Sequence, residues 1–197
     1  LNTLIASTAQ LGADVTVGPY CIIGDNVVIG DNVRLHSHVV IDGHTTIGDG
    51  CEIFPFAVLG ARPQHIRYNN EPSRLIIGKK CVIREHVTMH PGTAIDSMET
   101  IVGNHGLFFA GAHVAHDCVI GDHVIFANNA ALGGHVKIGD HAMLGGFAAV
   151  QQWCRVGAYS MVGAQSLVDA DIIPFCVASG NRAKLENSST KYPISLT

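Results

Sequence analysis

A six-residue period runs through most of this chain and restricts its possible folds more than any other feature. From Leu11 the sequence reads in the units LGADVT, VGPYCI, IGDNVV, IGDNVR, LHSHVV, IDGHTT, IGDGCE and IFPFAV. The period resumes at Ile77 and again at Val102, from where it continues to about Leu167. The first position is almost always aliphatic, the second is often glycine, and the fifth is Ala, Val, Cys, Ser or Thr. An internal repeat of this kind decides the architecture before local propensities are considered.

The repeat predicts a parallel β-helix. A period of six with one aliphatic position leaves no stripe at 3.6 residues, so amphipathic helices are excluded. Three units instead form one triangular coil, whose short strands pair in parallel with those of the next coil about 4.8 Å away. We therefore predict an all-β solenoid of hexapeptide repeats, three per coil, over residues 1–186. Parallel crossovers are usually right-handed, so the left-handed form is implied only by a resemblance to hexapeptide-repeat proteins.

The composition indicates one folded domain and excludes several classes of function. Hydrophobic residues make up 47% of the chain, and 22 of its 197 residues are glycine, which suits many tight corners. A formal net charge of −4 provides no basic surface for nucleic acid. The sequence shows no apolar stretch long enough to cross a bilayer and no signal-peptide pattern. We therefore expect a cytoplasmic protein without membrane insertion.

The cysteines follow the repeat. Five of the six fall on the fifth position of a unit, and no C-x-x-C pair occurs. We interpret them as small buried thiols in reduced form rather than as metal ligands or nucleophiles. These five are Cys21, Cys51, Cys81, Cys118 and Cys154.

Two segments interrupt the period, at about residues 60–76 and 95–101. A solenoid accommodates such insertions as loops that leave a corner, and loops of this kind often carry function. We expect both to form walls of a binding site.

Eleven of the twelve histidines form two groups, and the twelfth, His65, lies in the first insertion. A step of 18 residues, one coil, takes His116 to Gly134 and Gln152, and takes Asp117 to His135. With the second insertion allowed for, one edge of the solenoid is predicted to gather His90, His113, His116, His135 and Gln152. The other group is interpreted as solvent-facing corner residues: His36, His38, His44, His86, His105, His123 and His141.

Two kinds of chemistry suit this edge. Histidine is the commonest metal ligand, but the spacing between His113 and His116 differs from the H-x4-H pair of hexapeptide carbonic anhydrases, and we predict no metal. Acyl transfer to a hydroxyl needs a general base and a hydrogen-bond donor for the developing oxyanion. His116 would supply the base and the backbone N–H of Gly134 the donor. Asp117 is a candidate orienter of the imidazole, although neighbours in sequence rarely face the same way.

Several motifs resemble one family, the UDP-N-acetylglucosamine O-acyltransferases of lipid A biosynthesis. They are P-Q-H-I-R-Y at 63–68, T-M-H-P-G-T at 88–93, H-V-A-H-D-C at 113–118, F-A-N-N-A-A-L-G-G-H at 126–135 and G-N-R-A at 180–183. The likeness includes both insertions. It implies a homotrimer of left-handed β-helices with active sites between subunits. The implied reaction transfers a 3-hydroxyacyl chain from acyl carrier protein to the glucosamine 3-OH of UDP-N-acetylglucosamine, without a cofactor.

The resemblance also implies roles for individual residues. His116 becomes the general base and Gly134 the oxyanion donor. Gln152 would lie along the acyl chain, with Ala164 near the position that limits its length. The remaining substrate contacts would be Gln64, His65, Arg67, His90, His113, His135 and Gln151.

This chain departs from the family pattern at several of these positions. The family often has Asp at His65, Lys at Arg67, His at Gln151 and Gly at Ala164. An added methyl group at Ala164 predicts a preference for shorter acyl donors.

The C-terminal end is a further departure. After Glu186 the family continues into a helical domain that helps to bind the carrier protein, whereas residues 187–197 read as an irregular tail without that domain. We therefore expect weak donor binding.

Other functions stay open on the sequence. One is a different hexapeptide acyltransferase, which transfers to an amine or uses acetyl-CoA. Another is a truncated, weakly active homologue that serves as a trimeric scaffold. A carbonic anhydrase is a more distant alternative. The residues also leave open whether the acceptor sugar carries a 3-hydroxyl or a 3-amino group.

Overall fold

The chain forms a three-sided prism of stacked coils. A computed structural model describes residues 2–186, in which strands of two to four residues alternate with corners. Three sheets run along the prism, and successive coils contribute neighbouring strands to each sheet. Within these residues there is no helix long and apolar enough to cross a membrane.

The strands fall into three sets, here called sheets A, B and C. Sheet A contains Leu4–Ile5, Ile22–Ile23, Val40–Ile41, Val58–Leu59, Thr88–Met89, His113–Val114, Ala131–Leu132, Ala149–Val150 and Leu167–Val168. Sheet B contains Gln10–Leu11, Val28–Ile29, His44–Ile47, Arg74–Ile77, Glu99–Val102, Val119–Ile120, Lys137–Ile138 and Arg155–Val156. Sheet C contains Thr16–Val17, Arg34–Leu35, Glu52–Ile53, Val82–Ile83, Leu107–Phe108, Ile125–Phe126, Met143–Leu144, Met161–Val162, Val177–Ser179 and Lys184–Glu186.

The strand register reproduces the coil length read from the sequence. In regular coils the paired residues are one coil apart, as in Leu4 with Ile22. The step becomes longer where an insertion intervenes, from Val58 to Thr88 and then from Thr88 to His113. All these pairs are parallel, and between residues 2 and 186 the one antiparallel pair joins the last two strands of sheet C.

Both insertions leave the corner between sheets A and B, and both are shorter than predicted at their C-terminal ends. Residues 74–76 and 99–101, predicted as loop, belong to the four-residue strands of sheet B. The two strands pair with each other, and the strand at 74–77 also pairs with His44–Ile47, so its backbone groups are satisfied within the sheet. The irregular parts are residues 60–73 and 90–98. The second insertion therefore also begins earlier than the predicted residue 95, because residues 90–94 form no strand. The predicted tail at residues 187–197 lies outside the described residues.

The fifth-position thiols contribute to the corners. All five are buried and free, as predicted. The thiol of Cys21 donates to the carbonyl of His36 at 2.9 Å, and that of Cys118 donates to the carbonyl of Gly133 at 3.2 Å. Burial raises the pKa of the Cys118 thiol to about 12, so it is protonated and unreactive at neutral pH.

The corners have a recurrent backbone geometry. In most corners one non-glycine residue has a positive φ near 60°, a region in which Asn, Asp and His are enriched. Because the same position recurs in each coil, these side chains stack in columns. At the corner between sheets B and C, His105, His123 and His141 stack in parallel with centroids 4.6 and 4.8 Å apart. This column explains several of the histidines that were interpreted as corner residues.

Candidate active site

The predicted histidine edge is the corner between sheets A and B. The N–H of His135 donates to the carbonyl of His116 at 3.0 Å, and the N–H of Trp153 donates to that of Gly134 at 3.1 Å. These bonds confirm the stacking of consecutive coils that was expected from the 18-residue step. Asp117, His135 and Trp153 occupy the positive-φ position of this corner, with φ of 60°, 65° and 70°.

His116 and Asp117 form a buried pair at this corner. The His116 Nδ1 lies 2.8 Å from the Asp117 Oδ2, and the two side chains are 9% and 0% exposed. The left-handed φ of Asp117 turns its carboxylate back toward the preceding residue, so the two neighbours do share one side. The contact expected of an orienting carboxylate is therefore present.

The second insertion completes the surroundings of Asp117. Thr93 donates its N–H to Oδ1 at 2.9 Å and its hydroxyl to Oδ2 at 2.7 Å. Burial by itself would raise the pKa of Asp117, but the hydrogen bonds from His116 and Thr93 outweigh it and hold the pKa below its usual value. An ionised Asp117 accepts the Nδ1–H of His116. The Nε2 lone pair of His116 is then available as a base.

Gly134 lies directly against the imidazole of His116. A Cβ on Gly134 would lie 2.4 Å from Cε1 and 2.7 Å from Nε2 of that ring. Real Cβ atoms do not approach so closely, so no other residue fits here without displacing the ring. Within residues 2–186 the Gly134 N–H makes no hydrogen bond. A free donor beside the base is the arrangement that an oxyanion requires.

His90, on the preceding coil, and His113, in the strand just before His116, extend the site. Their rings meet edge to face at 5.1 Å, and the Nδ1 of His113 contacts the hydroxyl of Thr88 at 2.7 Å. Burial lowers the pKa of His90 to about 4, assisted by the nearby His113 and His116, and it also lowers the pKa of His113. Both rings are therefore neutral near pH 7 and suited to an uncharged polar ligand. The Nδ1 of His90 is buried without a partner among residues 2–186.

The first insertion forms the outer wall. The ring of His65 packs edge to face on that of His116 at 4.9 Å. An open cleft of about 460 Å³ lies between this loop and the corner. Its lining residues are Gln64, His65, Ile66, Arg67, His116 and Gln152.

Comparison with known proteins identifies the family. The model of bacterial transferase hexapeptide repeats matches residues 8–43 and 26–61. A crystal structure of UDP-N-acetylglucosamine acyltransferase superposes with a TM-score of 0.93 at 42% identity, over 93% of this chain and 71% of that one. The chain belongs to the UDP-N-acetylglucosamine acyltransferase family. The left-handed parallel β-helix predicted from the resemblance is thereby confirmed.

Two further relatives agree with this family assignment. The enzyme from Moraxella catarrhalis superposes with a TM-score of 0.92 at 42% identity, over 94% of this chain and 72% of that one. The acyl-carrier-protein-dependent UDP-N-acetylglucosamine O-acyltransferase of Rickettsia bellii is 57% identical over 185 residues. That match covers 94% of this chain and 66% of the relative, so the chain spans just under two thirds of the relative's length.

Most of the residues predicted for a UDP-N-acetylglucosamine acyltransferase site come together. Those close to His116 are Asp117, Gly134, His65, His135 and Gln152, with Gln64 and Arg67 in the wall of the same cleft. Gln151 is exposed at the same corner, immediately before Gln152. Ala164 is not part of this cluster within one chain, because it lies exposed at the corner between sheets C and A.

The sequence did not reveal three residues of the second insertion and the adjoining strand. Thr93 binds Asp117, and the hydroxyl of Thr100 accepts the Asp117 N–H at 2.8 Å. Asp96 contacts His135, with its Oδ2 2.8 Å from the Nδ1. The insertion itself was expected to form a wall, but nothing in its irregular sequence shows which side chains turn inward.

One group in this family member has the composition of a metal site. Among residues 2–186, the donor atoms of His116, Asp117 and His135 lie within 4.8 Å of one another. The hydrogen bonds of Asp117 with His116 and Thr93 already engage both of its oxygens. The absence of a metal stays a prediction, which elemental analysis of the purified protein tests.

Proposed function

We propose that this chain transfers an acyl group from acyl carrier protein to the 3-hydroxyl of UDP-N-acetylglucosamine, the first step of lipid A synthesis. One observation carries the proposal. A buried carboxylate holds the Nδ1 side of His116, while Gly134, whose N–H makes no hydrogen bond among residues 2–186, lies so close to the same ring that a Cβ would meet Nε2 at 2.7 Å. A candidate base and a candidate oxyanion donor thus lie side by side, next to the cleft that the first insertion lines.

The proposed reaction follows from this geometry. The Nε2 of His116 takes the proton of the sugar hydroxyl as the oxygen attacks the thioester carbonyl. The carbonyl oxygen becomes an oxyanion and accepts the Gly134 N–H. Asp117 stabilises the imidazolium that forms. Collapse of the intermediate breaks the C–S bond, and the thiolate of the carrier takes the proton back from His116, which restores the base.

The neighbouring residues suit a sugar nucleotide. The neutral imidazoles of His90 and His113 offer both a donor and an acceptor to sugar hydroxyls without a net charge. Arg67 places an exposed guanidinium at the cleft, where it would pair with a diphosphate. Gln64, His65 and His135 would contact the sugar. No cofactor enters this scheme, since the thioester is itself the activated substrate.

The proposed assembly is a homotrimer with active sites in clefts between subunits. Large apolar side chains are exposed at two corners of the single chain. Phe147, at the corner between sheets C and A, is 63% accessible, and Trp153, at the corner between sheets A and B, is 58% accessible. The cleft at His116 is open on one side. A neighbouring subunit would close it and bring its own Ala164 corner toward the acyl chain, which Gln151 and Gln152 would also contact. We expect the protein to act in the cytoplasm, where acyl carrier protein and nucleotide sugars occur.

The decisive experiment is an acyl-transfer assay on the purified protein. Donors of several chain lengths, offered both as acyl carrier protein and as CoA thioesters, are combined with UDP-N-acetylglucosamine. Turnover with the carrier-protein donors that is lost in His116→Ala supports the proposal. His141→Ala, in the stacked column of another corner, is the matched control and keeps activity.

Each alternative gives a different result in the same assay. Turnover only with CoA thioesters would identify a different hexapeptide acyltransferase. Turnover that does not depend on His116 would refute the assigned chemistry. A trimer that binds the nucleotide sugar with no turnover would favour the scaffold.

A further inference from the structure

The second insertion places the carboxylate of Asp96 against the ring of His135. Asp96 Oδ2 lies 2.8 Å from His135 Nδ1, although the residues are 39 apart in sequence. The His135 side chain is 4% exposed and that of Asp96 is 40% exposed. His135 cannot turn freely, since its ring stacks on that of Trp153 with centroids 3.7 Å apart and planes 3° apart.

The loop that carries Asp96 has a defined shape. The carbonyl of Thr93 accepts the N–H of Asp96 at 3.3 Å and that of Met98 at 3.2 Å. At its base, a Cβ on Gly92 would lie 2.1 Å from the Glu99 N, so the two ends of the loop touch. Asp96 therefore reaches His135 from a closed turn, which also supplies the Thr93 groups that bind Asp117.

Two carboxylates compete for the same imidazole. The Nδ1 of His135 is 2.8 Å from Asp96 and 3.9 Å from Asp117 Oδ2, the oxygen that also contacts His116. If Asp96 were absent, Asp117 would be the nearest acceptor for His135. A carboxylate shared between two imidazoles holds each of them less firmly, because its oxygen can align with only one N–H at a time.

We propose that Asp96 is a positioning residue that occupies His135 and thereby keeps Asp117 committed to His116. This inference rests on the proposed function, in which His116 is the base. The second insertion then keeps apart two His–Asp pairs that lie side by side. The two rings meet edge to face at 5.0 Å, so a small rotation of one displaces the other.

The charged and titratable groups around the two rings are few. His135 faces Asp96, Asp117 and His116, and the neutral Trp153 covers its ring. His116 faces Asp117 and His135, the nearby imidazoles of His90 and His113 and, across the cleft, His65. Removal of Asp96 deletes a negative charge from this set and diverts Asp117. Both effects leave the His116 ring less firmly held in the orientation that a base requires.

The test compares Asp96→Ala, Asp96→Asn and Asp96→Glu with Glu99→Gln. Glu99 follows the same loop but pairs with Arg74 on the surface, so its variant is the matched control. We expect kcat to fall about tenfold in Asp96→Ala, as is usual for groups that act through a neighbour, with KM for the acyl donor unchanged. Asp96→Asn keeps an acceptor without the charge and gives a smaller loss, and Asp96→Glu restores activity in part.

A second measurement is independent of activity. Ring ¹⁵N shifts of labelled histidines, with His135 assigned by its absence in His135→Gln, report which nitrogen carries the proton. With His116 assigned in the same way from His116→Ala, we expect both rings to be protonated at Nδ1 in the wild type. In Asp96→Ala the Nδ1–H of His135 turns to Asp117, so His116 loses its preference for Nδ1. Unchanged His116 shifts in Asp96→Ala, or a kcat equal to that of Glu99→Gln, would overturn the proposal. If the wild type shows no turnover, the proposed function fails, while the ring shifts of His116 still decide whether Asp96 keeps Asp117 on that ring.

Discussion

His116 and Asp117 are adjacent in the chain, and the Nδ1 of one lies 2.8 Å from the Oδ2 of the other. Neighbours in an extended segment point to opposite sides, but the φ of 60° at Asp117 removes that restriction. The same backbone state recurs one and two coils further on, at His135 and Trp153. The catalytic pair that we propose is therefore built on the ordinary corner geometry of this fold, with an acid in a position that elsewhere holds stacked rings.

Replacement of Asp117 tests the orienting role. Asp117→Asn keeps the shape of the side chain but cannot stabilise an imidazolium or enforce the Nδ1–H form of His116. We expect kcat to fall by up to about 10⁴-fold, the loss that follows the same replacement of the orienting aspartate in serine proteases. Steady-state acyl transfer measures it, with Asp14→Asn, at an exposed corner position, as the control. A rate within twofold of wild type would contradict the role.

Substitution of Gly134 tests the contact with the base. The new Cβ of Gly134→Ala has no space beside the His116 ring, so we expect the ring to be displaced and kcat to fall on the order of 10²-fold. We expect a loss of about 1–3 kcal/mol in the free energy of unfolding, as is typical of overpacking.

A second glycine provides the control for this experiment. In Gly146→Ala the new Cβ meets only the Asn128 carbonyl oxygen, at an ordinary 3.6 Å. Its kinetics and denaturation curve should match those of the wild type. Equal activity of the two variants would show that the Gly134 contact is unimportant.

The pH dependence of stability tests the burial of His90. Its pKa is about 4 in the folded chain, below the usual 6.5. The unfolded chain therefore binds more protons between these values, and stability is fully present above pH 6.5 and declines as the pH falls toward 4. The difference between the two pKa values corresponds to roughly 3 kcal/mol in the free energy of unfolding. Urea denaturation of wild type and His90→Gln at several pH values measures this contribution, and curves that stay parallel as the pH falls would contradict it.

Ala164 tests the preference for acyl chain length. The methyl group of Ala164 is exposed at the corner between sheets C and A, so it can contact an acyl chain in the assembled protein. We expect Ala164→Gly to raise kcat/KM for longer donors relative to shorter ones. The measurement is the ratio of kcat/KM for two donor lengths in both proteins. An unchanged ratio would mean that Ala164 does not limit the chain.

The sequence by itself determined the architecture and the composition of the histidine edge. A strict period converts sequence spacing into spatial proximity, so an 18-residue step sufficed to place Gly134 over His116 and Gln152 beyond it. The same register explained why the five fifth-position cysteines are buried. Even the two insertions were located from the interruption of the period.

Only the tertiary structure decided what the insertions do. Residues 60–73 and 90–98 have no repeat, so their side-chain directions depend on packing and hydrogen bonds that no spacing encodes. The contacts of Thr93 with Asp117 and of His65 with His116 arise in this way. So does the pairing of Asp96 with His135, across 39 residues. The orientation of Asp117 could not be read from the sequence for a related reason. A single positive φ reverses the side-chain direction expected in an extended strand.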